Sequence, residues 1–309
     1  MPSSKSEHRQ TRRKPKLGSI TNPPRIIILD NDETVGSFWP LYKALHLIRD
    51  FDIKNIRIQD IIPQITQYCL KGNIFRPGVE KLVKTLAALK DANKVDRLVM
   101  YTYQREALGR KDDWHVFHNS YGQQINVPFV IDYCFGYIAS NFKIVRPFFD
   151  SIITRNIHNA FYGRTVDEPF NEKSLDVVFK KTRIYPTHDL RGITFIDDCF
   201  MNTHFPEVIN KKHIIKGPLS SIYISRYTIT IEHMPVLIRE SEKLYKTLFS
   251  NYTTRDIFDN FIESVKSYVL GDYKYMELCT PPDTPHTYNE LSLVKLATRI
   301  RSYYTHFKV

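Results

Sequence analysis

Four large aliphatic residues in succession, Ile26 to Leu29, lie between Pro23-Pro24 and a polar stretch that opens Asp30-Asn31-Asp32-Glu33-Thr34. A short apolar run bounded by turn formers predicts a buried strand of a parallel sheet covered on both faces. The pattern returns twice. Arg97 to Tyr101 is a second such run and ends at Thr102, and Gly192 to Ile196 is a third and ends at Asp197-Asp198. Between the first two, Val79, Leu82, Val83, Leu86 and Leu89 fall on one face at helical spacing, with Lys81, Lys84 and Lys90 mostly on the other. That spacing predicts an amphipathic helix immediately after Phe75-Arg76-Pro77-Gly78.

Elsewhere the pattern is weaker. Residues 35–70 predict two short strands or helices flanking the acidic loop as a flap. Residues 103–170 lose simple periodicity and predict an inserted, cap-like element, with strands in Val127 to Ile138 and a strand then a helix in Phe142 to Ile157. Lys173 precedes a helix start at Ser174-Leu175-Asp176, and His213 to Ser225 reads as a strand or loop. Helices are expected around Pro235 to Phe249, Arg255 to Leu270 and Leu291 to Tyr304. The fold class is therefore α/β, a Rossmann-like parallel sheet over 25–215 with an insertion at about 103–170 and a mainly helical C-terminal extension over 216–309.

Composition narrows the classes. No apolar run is long enough to span a bilayer and no signal peptide opens the chain, so a soluble intracellular protein, nuclear or cytoplasmic and without a membrane partner, is expected. Cys69, Cys134, Cys199 and Cys279 lack the paired spacing of a zinc or redox site and read as reduced thiols. The formal net charge of +11 points to an anionic partner, whether nucleic acid, phosphoprotein or acidic surface, and does not choose among them. Six of the basic residues sit in 1–24 against the single acid Glu7, which predicts a disordered basic arm able to serve as a nuclear address, a nucleic-acid contact or a solvated tail.

The chemistry is concentrated at the strand ends. Ligands of open α/β sheets bind outside the carboxyl ends of the strands, where this chain places Asp30, Asp32, Thr102 and the pair Asp197-Asp198. Carboxylates this close repel each other unless a metal, proton or donor relieves them. Magnesium, a hard ion that takes one or two carboxylates together with water and phosphate oxygens, fits that need. Thr102 supplies a hydroxyl donor beside Asp30. Lys173 opposes the dipole of its own helix start, an arrangement that makes sense with an anion in front of it.

In this order, Asp-x-Asp-x-Thr after a strand, Thr102, Lys173 and Asp197-Asp198 resemble the four motifs of the haloacid dehalogenase-like phosphatases. Phe75-Arg76-Pro77-Gly78-Val79 and Lys173-Ser174-Leu175 are similar to the branch that acts on the carboxy-terminal domain of RNA polymerase II. The resemblance implies Mg2+ held by Asp30, the Asp32 carbonyl and Asp198, with Asp197 orienting the metal shell. It implies Asp30 as nucleophile, Asp32 as general acid and base, and Thr102 and Lys173 on the phosphoryl oxygens. The implied substrate is phosphoserine or phosphothreonine in a protein, with the polymerase tail as the branch's target. A phosphorylated nucleic-acid end and a non-catalytic scaffold are the alternatives. Composition heavy in Ile, Lys, Asn and Tyr suits a member from a large DNA virus acting in its host cell, or one from an AT-rich genome.

Overall fold

The computed structural model describes residues 23–50, 57–102, 117–118, 124–165, 173–184, 190–198, 220–248, 255–279 and 292–307. Its centre is a sheet of five strands: β1 (Ile26–Leu29), β2 (Arg97–Tyr101), β5 (Ser151–Ile153), β6 (Ile193–Asp197) and β7 (Ser220–Tyr223). All four pairings are parallel and the spatial order is β5-β2-β1-β6-β7. Counted within the sheet this is 3-2-1-4-5, the Rossmann-like order, which reverses direction at β1. Strands β3 (Phe117–His118) and β4 (Gln124–Ile125) form a separate antiparallel pair.

Because successive strand side chains point to opposite faces, each strand feeds two cores. Ile27, Leu29, Leu98, Met100 and Ile196 enter a large core with helices α1 (Trp39–Asp50), α2 (Ile58–Lys71), α3 (Val79–Asp91) and α4 (Val127–Ala139). Helices α7 (Met234–Leu248), α8 (Arg255–Cys279) and α9 (Leu293–His306) complete that side. Ile26, Ile28, Val99, Tyr101 and Phe195 enter a smaller core with α5 (Arg155–Phe161) and α6 (Leu175–Thr182).

Several expectations need correction. Residues 127–138 form helix α4, not strands. This segment is apolar nearly all round and buried on most sides, with Val130, Ile131, Cys134, Phe135 and Ile138 inaccessible. A helix buried on every side shows no amphipathic period to distinguish it from a strand. Asn126 nonetheless caps it, accepting the Phe129 N–H at 3.1 Å.

Much of the insertion expected at about 103–170 belongs to the central fold. Strand β5 is an edge of the main sheet and α4 packs on α2 and α3, so 127–161 belongs to the central fold. Residues 103–116 and 119–123 lie outside the described residues. The strand then helix expected in 142–157 is present as β5 and α5, displaced toward the C-terminus. In the described part of 35–70 the helical alternative holds, but α1 and α2 pack into the large core and do not form a separate flap.

At the C-terminal end the expected helices are present, but 216–309 is not an appendage to a unit ending at 215. Strand β7 completes the sheet, and α9 packs on α3. The Tyr304 hydroxyl reaches Thr194 Oγ1 at 2.8 Å and the Gly192 carbonyl at 3.0 Å. Gly78 shows how close the approach is. Its φ of 92° is left-handed, and a Cβ there would stand 2.9 Å from a Val294 methyl.

Cys69 and Cys134 are free and buried, in line with reduced thiols. Residue Cys199 and residues 1–22 of the basic arm lie outside the described residues. Among the described residues no helix is long and apolar enough to cross a membrane.

Candidate metal and phosphoryl site

The site forms where β1 and β6 end side by side. Leu29 pairs with Met100 on one side and Ile196 on the other. The ladder runs one residue further, with the Asp30 N–H donating to the Ile196 carbonyl at 2.9 Å. Asp30 thus stands level with Tyr101 and Asp197. All three share the parity of the side chains that face α5 and α6, so they project to the thinner side of the sheet.

Lys173 arrives from that side. It directly precedes Ser174, whose side chain caps α6 by accepting the Asp176 N–H at 3.2 Å. Its Nζ donates to Asp30 Oδ1 at 2.5 Å and to Asp197 Oδ2 at 2.8 Å. Lys173 and Asp197 are fully buried and Asp30 nearly so. The ammonium also lies 5.3 Å from the Phe195 ring centre and 6.0 Å from that of Tyr101. Two rings and two carboxylates therefore enclose it, and cation–π attraction adds to the ion pairs.

Asp198, the residue directly after β6, meets the acidic loop. Thr34 Oγ1 accepts the Asp198 N–H at 3.0 Å and lies 2.7 Å from Asp198 Oδ1 and 3.2 Å from Asp30 Oδ2. A hydroxyl has one proton, and the nearer acceptor is Asp198. Thr34 thereby couples the two acidic strand ends.

The carboxylates of Asp30, Asp197 and Asp198 offer oxygens within 4.8 Å of one another, a cluster that could hold a metal ion. Burial drives Asp30 well above the ordinary carboxylate range, and the charges of Asp197 and Asp198 raise it further against the pull of Lys173. Asp198 is pushed up to about 6, chiefly by burial and then by Asp197. Burial pulls Lys173 down, but the charges of Asp197 and Asp30 outweigh it and leave the ammonium raised above an ordinary lysine. Three acids to one ammonium leaves excess negative charge in a desolvated place, and a divalent cation fits that donor set.

The other sequence-predicted residues flank the cluster. Asp32 lies two residues beyond Asp30 in a loop closed by Glu33 N–H to Gly36 carbonyl at 2.7 Å and Val35 N–H to Asn31 carbonyl at 3.1 Å. It is half-buried, and its carboxylate is outside the three-acid cluster. Thr102 follows β2 beside β1, fully buried, with its N–H on the Ile153 carbonyl at 2.9 Å.

Three features were not read from the sequence. Arg76 Nη1 donates to the Ser225 carbonyl at 2.6 Å and Nη2 to Ser225 Oγ at 3.0 Å, tying the segment after β7 to the turn before α3. The Phe-Arg-Pro-Gly turn was visible, but its partner 149 positions away was not. Glu33, at φ 60°, pairs with Arg226, and its carbonyl accepts the Tyr227 N–H at 2.7 Å. Behind Lys173, Tyr101 joins His158, with nothing local in either segment to announce it. Compared with protein-family models, with curated proteins and with solved structures, the chain gives no match.

Proposed function

We propose that the chain is a magnesium-dependent phosphatase of the haloacid dehalogenase type that removes phosphate from phosphoserine or phosphothreonine in proteins through an aspartyl-phosphate on Asp30. The observation that carries this reading is the convergence of Asp30, Lys173 and Asp197-Asp198 at the carboxyl ends of two adjacent parallel strands. The residues come from three distant segments, and each is of the type that phosphoryl transfer requires.

Lys173 occupies Asp30 Oδ1 at 2.5 Å, which leaves Oδ2 as the attacking oxygen. In the first step Oδ2 bonds to phosphorus while the bond to the leaving seryl or threonyl oxygen breaks. Asp32 gives that oxygen its proton. In the second step a water attacks the phosphorus, Asp32 takes the water's proton, and the Asp30–phosphorus bond breaks to release inorganic phosphate. Thr102 and Lys173 donate to the phosphoryl oxygens as negative charge develops on them. Asp30, Asp197, Asp198 and the Asp32 carbonyl would hold Mg2+, which when bound supplies charge neutralisation between anionic nucleophile and anionic phosphate.

Support for a protein substrate comes from the resemblance carried by Phe75-Arg76-Pro77-Gly78-Val79 and Lys173-Ser174-Leu175, which also makes the RNA polymerase II tail the first target to try. The net charge of +11 favours an anionic partner and keeps a phosphorylated nucleic-acid end as the second reading. The test is hydrolysis of para-nitrophenyl phosphate by wild type and Asp30→Asn, each with magnesium and with chelator. Turnover that needs both Asp30 and magnesium is expected; turnover retained by Asp30→Asn would sink the mechanism. Phosphopeptides against end-phosphorylated oligonucleotides, at low and high salt, then separate the two substrate classes.

A further inference from the structure

We propose that Tyr101 and His158 are positioning residues that hold Lys173 in place between Asp30 and Asp197. Tyr101 is the last residue of β2, wholly buried, and among the described residues its hydroxyl meets Ser174 and His158. It accepts the Ser174 backbone N–H at 3.0 Å, and it lies 2.5 Å from His158 Nδ1. The peptide N–H can only donate, so the hydroxyl oxygen is the acceptor from Ser174 and the same hydroxyl also bonds to the His158 ring. The imidazole is held neutral, since burial together with the Arg164 charge depresses His158 to about 4.

The Tyr101 hydroxyl therefore joins the Ser174 peptide N–H, which donates to it, to the His158 ring. Ser174 is fixed a second time, because its Oγ accepts the Tyr162 hydroxyl proton at 2.6 Å. Ser174 is the cap of α6 and the immediate neighbour of Lys173, so fixing its peptide fixes where the lysine stem begins. The Tyr101 ring, 6.0 Å from Nζ, walls the other end of the same side chain. A stem anchored at its root and walled at its tip has few rotamers left, and a lysine otherwise has many to lose. This matters because a misplacement of about 1 Å can cost on the order of 100-fold in rate.

The experiment uses the full chain with Tyr101→Phe, His158→Leu and His158→Gln, each first shown to melt cooperatively. Two readouts are taken: kcat and KM on para-nitrophenyl phosphate with magnesium, and reductive methylation of Lys173 followed by peptide mass mapping. Tyr101→Phe and His158→Leu are expected to lower kcat by roughly 10- to 100-fold with KM within about 3-fold, and to make Lys173 methylatable. Their double variant should be no worse than either alone. His158→Gln, whose amide can still hydrogen-bond to Tyr101 as acceptor or donor, should stay within about 3-fold of wild type and keep Lys173 protected. Folded Tyr101→Phe and His158→Leu proteins with Lys173 protected as in wild type would overturn the proposal. The kinetic arm rests on the phosphatase reading and the labelling arm does not, so a wild type that cleaves no phosphoester would count against that reading while methylation still decides the positioning role.

Discussion

The two faces of the sheet are built to different ends. On the side of α1 to α4 and α7 to α9, the core is thick and mostly apolar, with a small number of polar groups inside it. Asp132 there takes the N–H groups of Phe148 and Phe149 at 2.8 and 2.7 Å, and Tyr68 meets Ser241 at 3.1 Å. On the α5 and α6 side the cover is thin, yet Asp30, Asp197, Lys173, Ser174, Tyr101 and His158 are buried together. Burying ions costs more than burying methyl groups, even when the ions are paired. The contrast teaches a division of labour, in which the thick face supplies the stability that lets the thin face carry charge.

The largest effect that would break this division is at Asp30. Asp30→Asn removes the proposed nucleophile, and turnover of para-nitrophenyl phosphate should fall by at least about 1,000-fold. Stability should hold or rise, measured as the melting temperature in chelator. Three buried acids then become two, while Lys173 keeps Asp197. A large drop in melting temperature would place a structural load on the thin face that the comparison denies it.

Next comes Phe258→Ala in the thick core, in helix α8 and remote from the site. Phe258 is 2% exposed, and its ring centre is 4.5 Å from that of Tyr245. The truncation should cost about 3–5 kcal/mol in urea unfolding while leaving kcat of the folded protein within about 2-fold. It should also lower one cooperative transition, because α7 to α9 share the core of the sheet. Two separate transitions would restore the C-terminal region as an independent unit.

A pH series sharpens the comparison from the other side. His158 is held at about 4 in the folded chain by burial and then by Arg164, against about 6.5 unfolded. Above 6.5 the group is neutral in both states and affects nothing. As pH falls from 6.5 toward 4 the unfolded chain takes up a proton that the folded chain refuses, so stability falls, by up to about 3 kcal/mol at 1.36 kcal/mol per pKa unit. Asp132 works in the opposite sense, since burial raises it to about 6 and its protonation favours the folded state as pH falls. The difference between wild type and His158→Gln cancels Asp132 and isolates the histidine. Parallel unfolding midpoints for the two proteins across this window would remove His158 from the buried network.

How much of this could be read from the chain depends on whether the cause was local. The strands β1, β2 and β6 were legible because each is an apolar run cut off by a polar residue, and α3 because its period is clean. The acids at the strand ends were legible for the same reason. Strand β5 is hard to place because three residues, Ser151 to Ile153, make no pattern, and α2 stays ambiguous between strand and helix because Pro63 stands inside it. Helix α4 was misassigned because uniform burial erases periodicity. Arg76 and Tyr101 were hidden for a different reason, since a hydrogen-bond partner 149 or 57 positions away leaves no trace in local composition. Parity along β2 and β6 would still have shown that Tyr101 and Asp197 join Asp30 on one face.

The smallest predicted effect puts the comparison to its most direct test, because the same atom is removed on each face. Tyr304 and Tyr101 are both buried, at 1% and 0% exposure, and each hydroxyl bonds to a neighbouring element. On the thick face Tyr304 reaches Thr194 Oγ1 at 2.8 Å and ties α9 to the edge of the sheet remote from the strand carboxyl ends. Tyr304→Phe should therefore cost about 0.5–1.5 kcal/mol, the net worth of one such bond, and leave kcat, KM and Lys173 methylation untouched. Tyr101→Phe removes an equivalent bond but should be read chiefly in kcat and in Lys173 labelling. If both substitutions moved stability alike and neither moved turnover, the thin face would be no more than a second core. If Tyr304→Phe lowered kcat as much as Tyr101→Phe, catalysis would depend on the sheet as a whole, and the proposed separation between the face that stabilises and the face that reacts would fail.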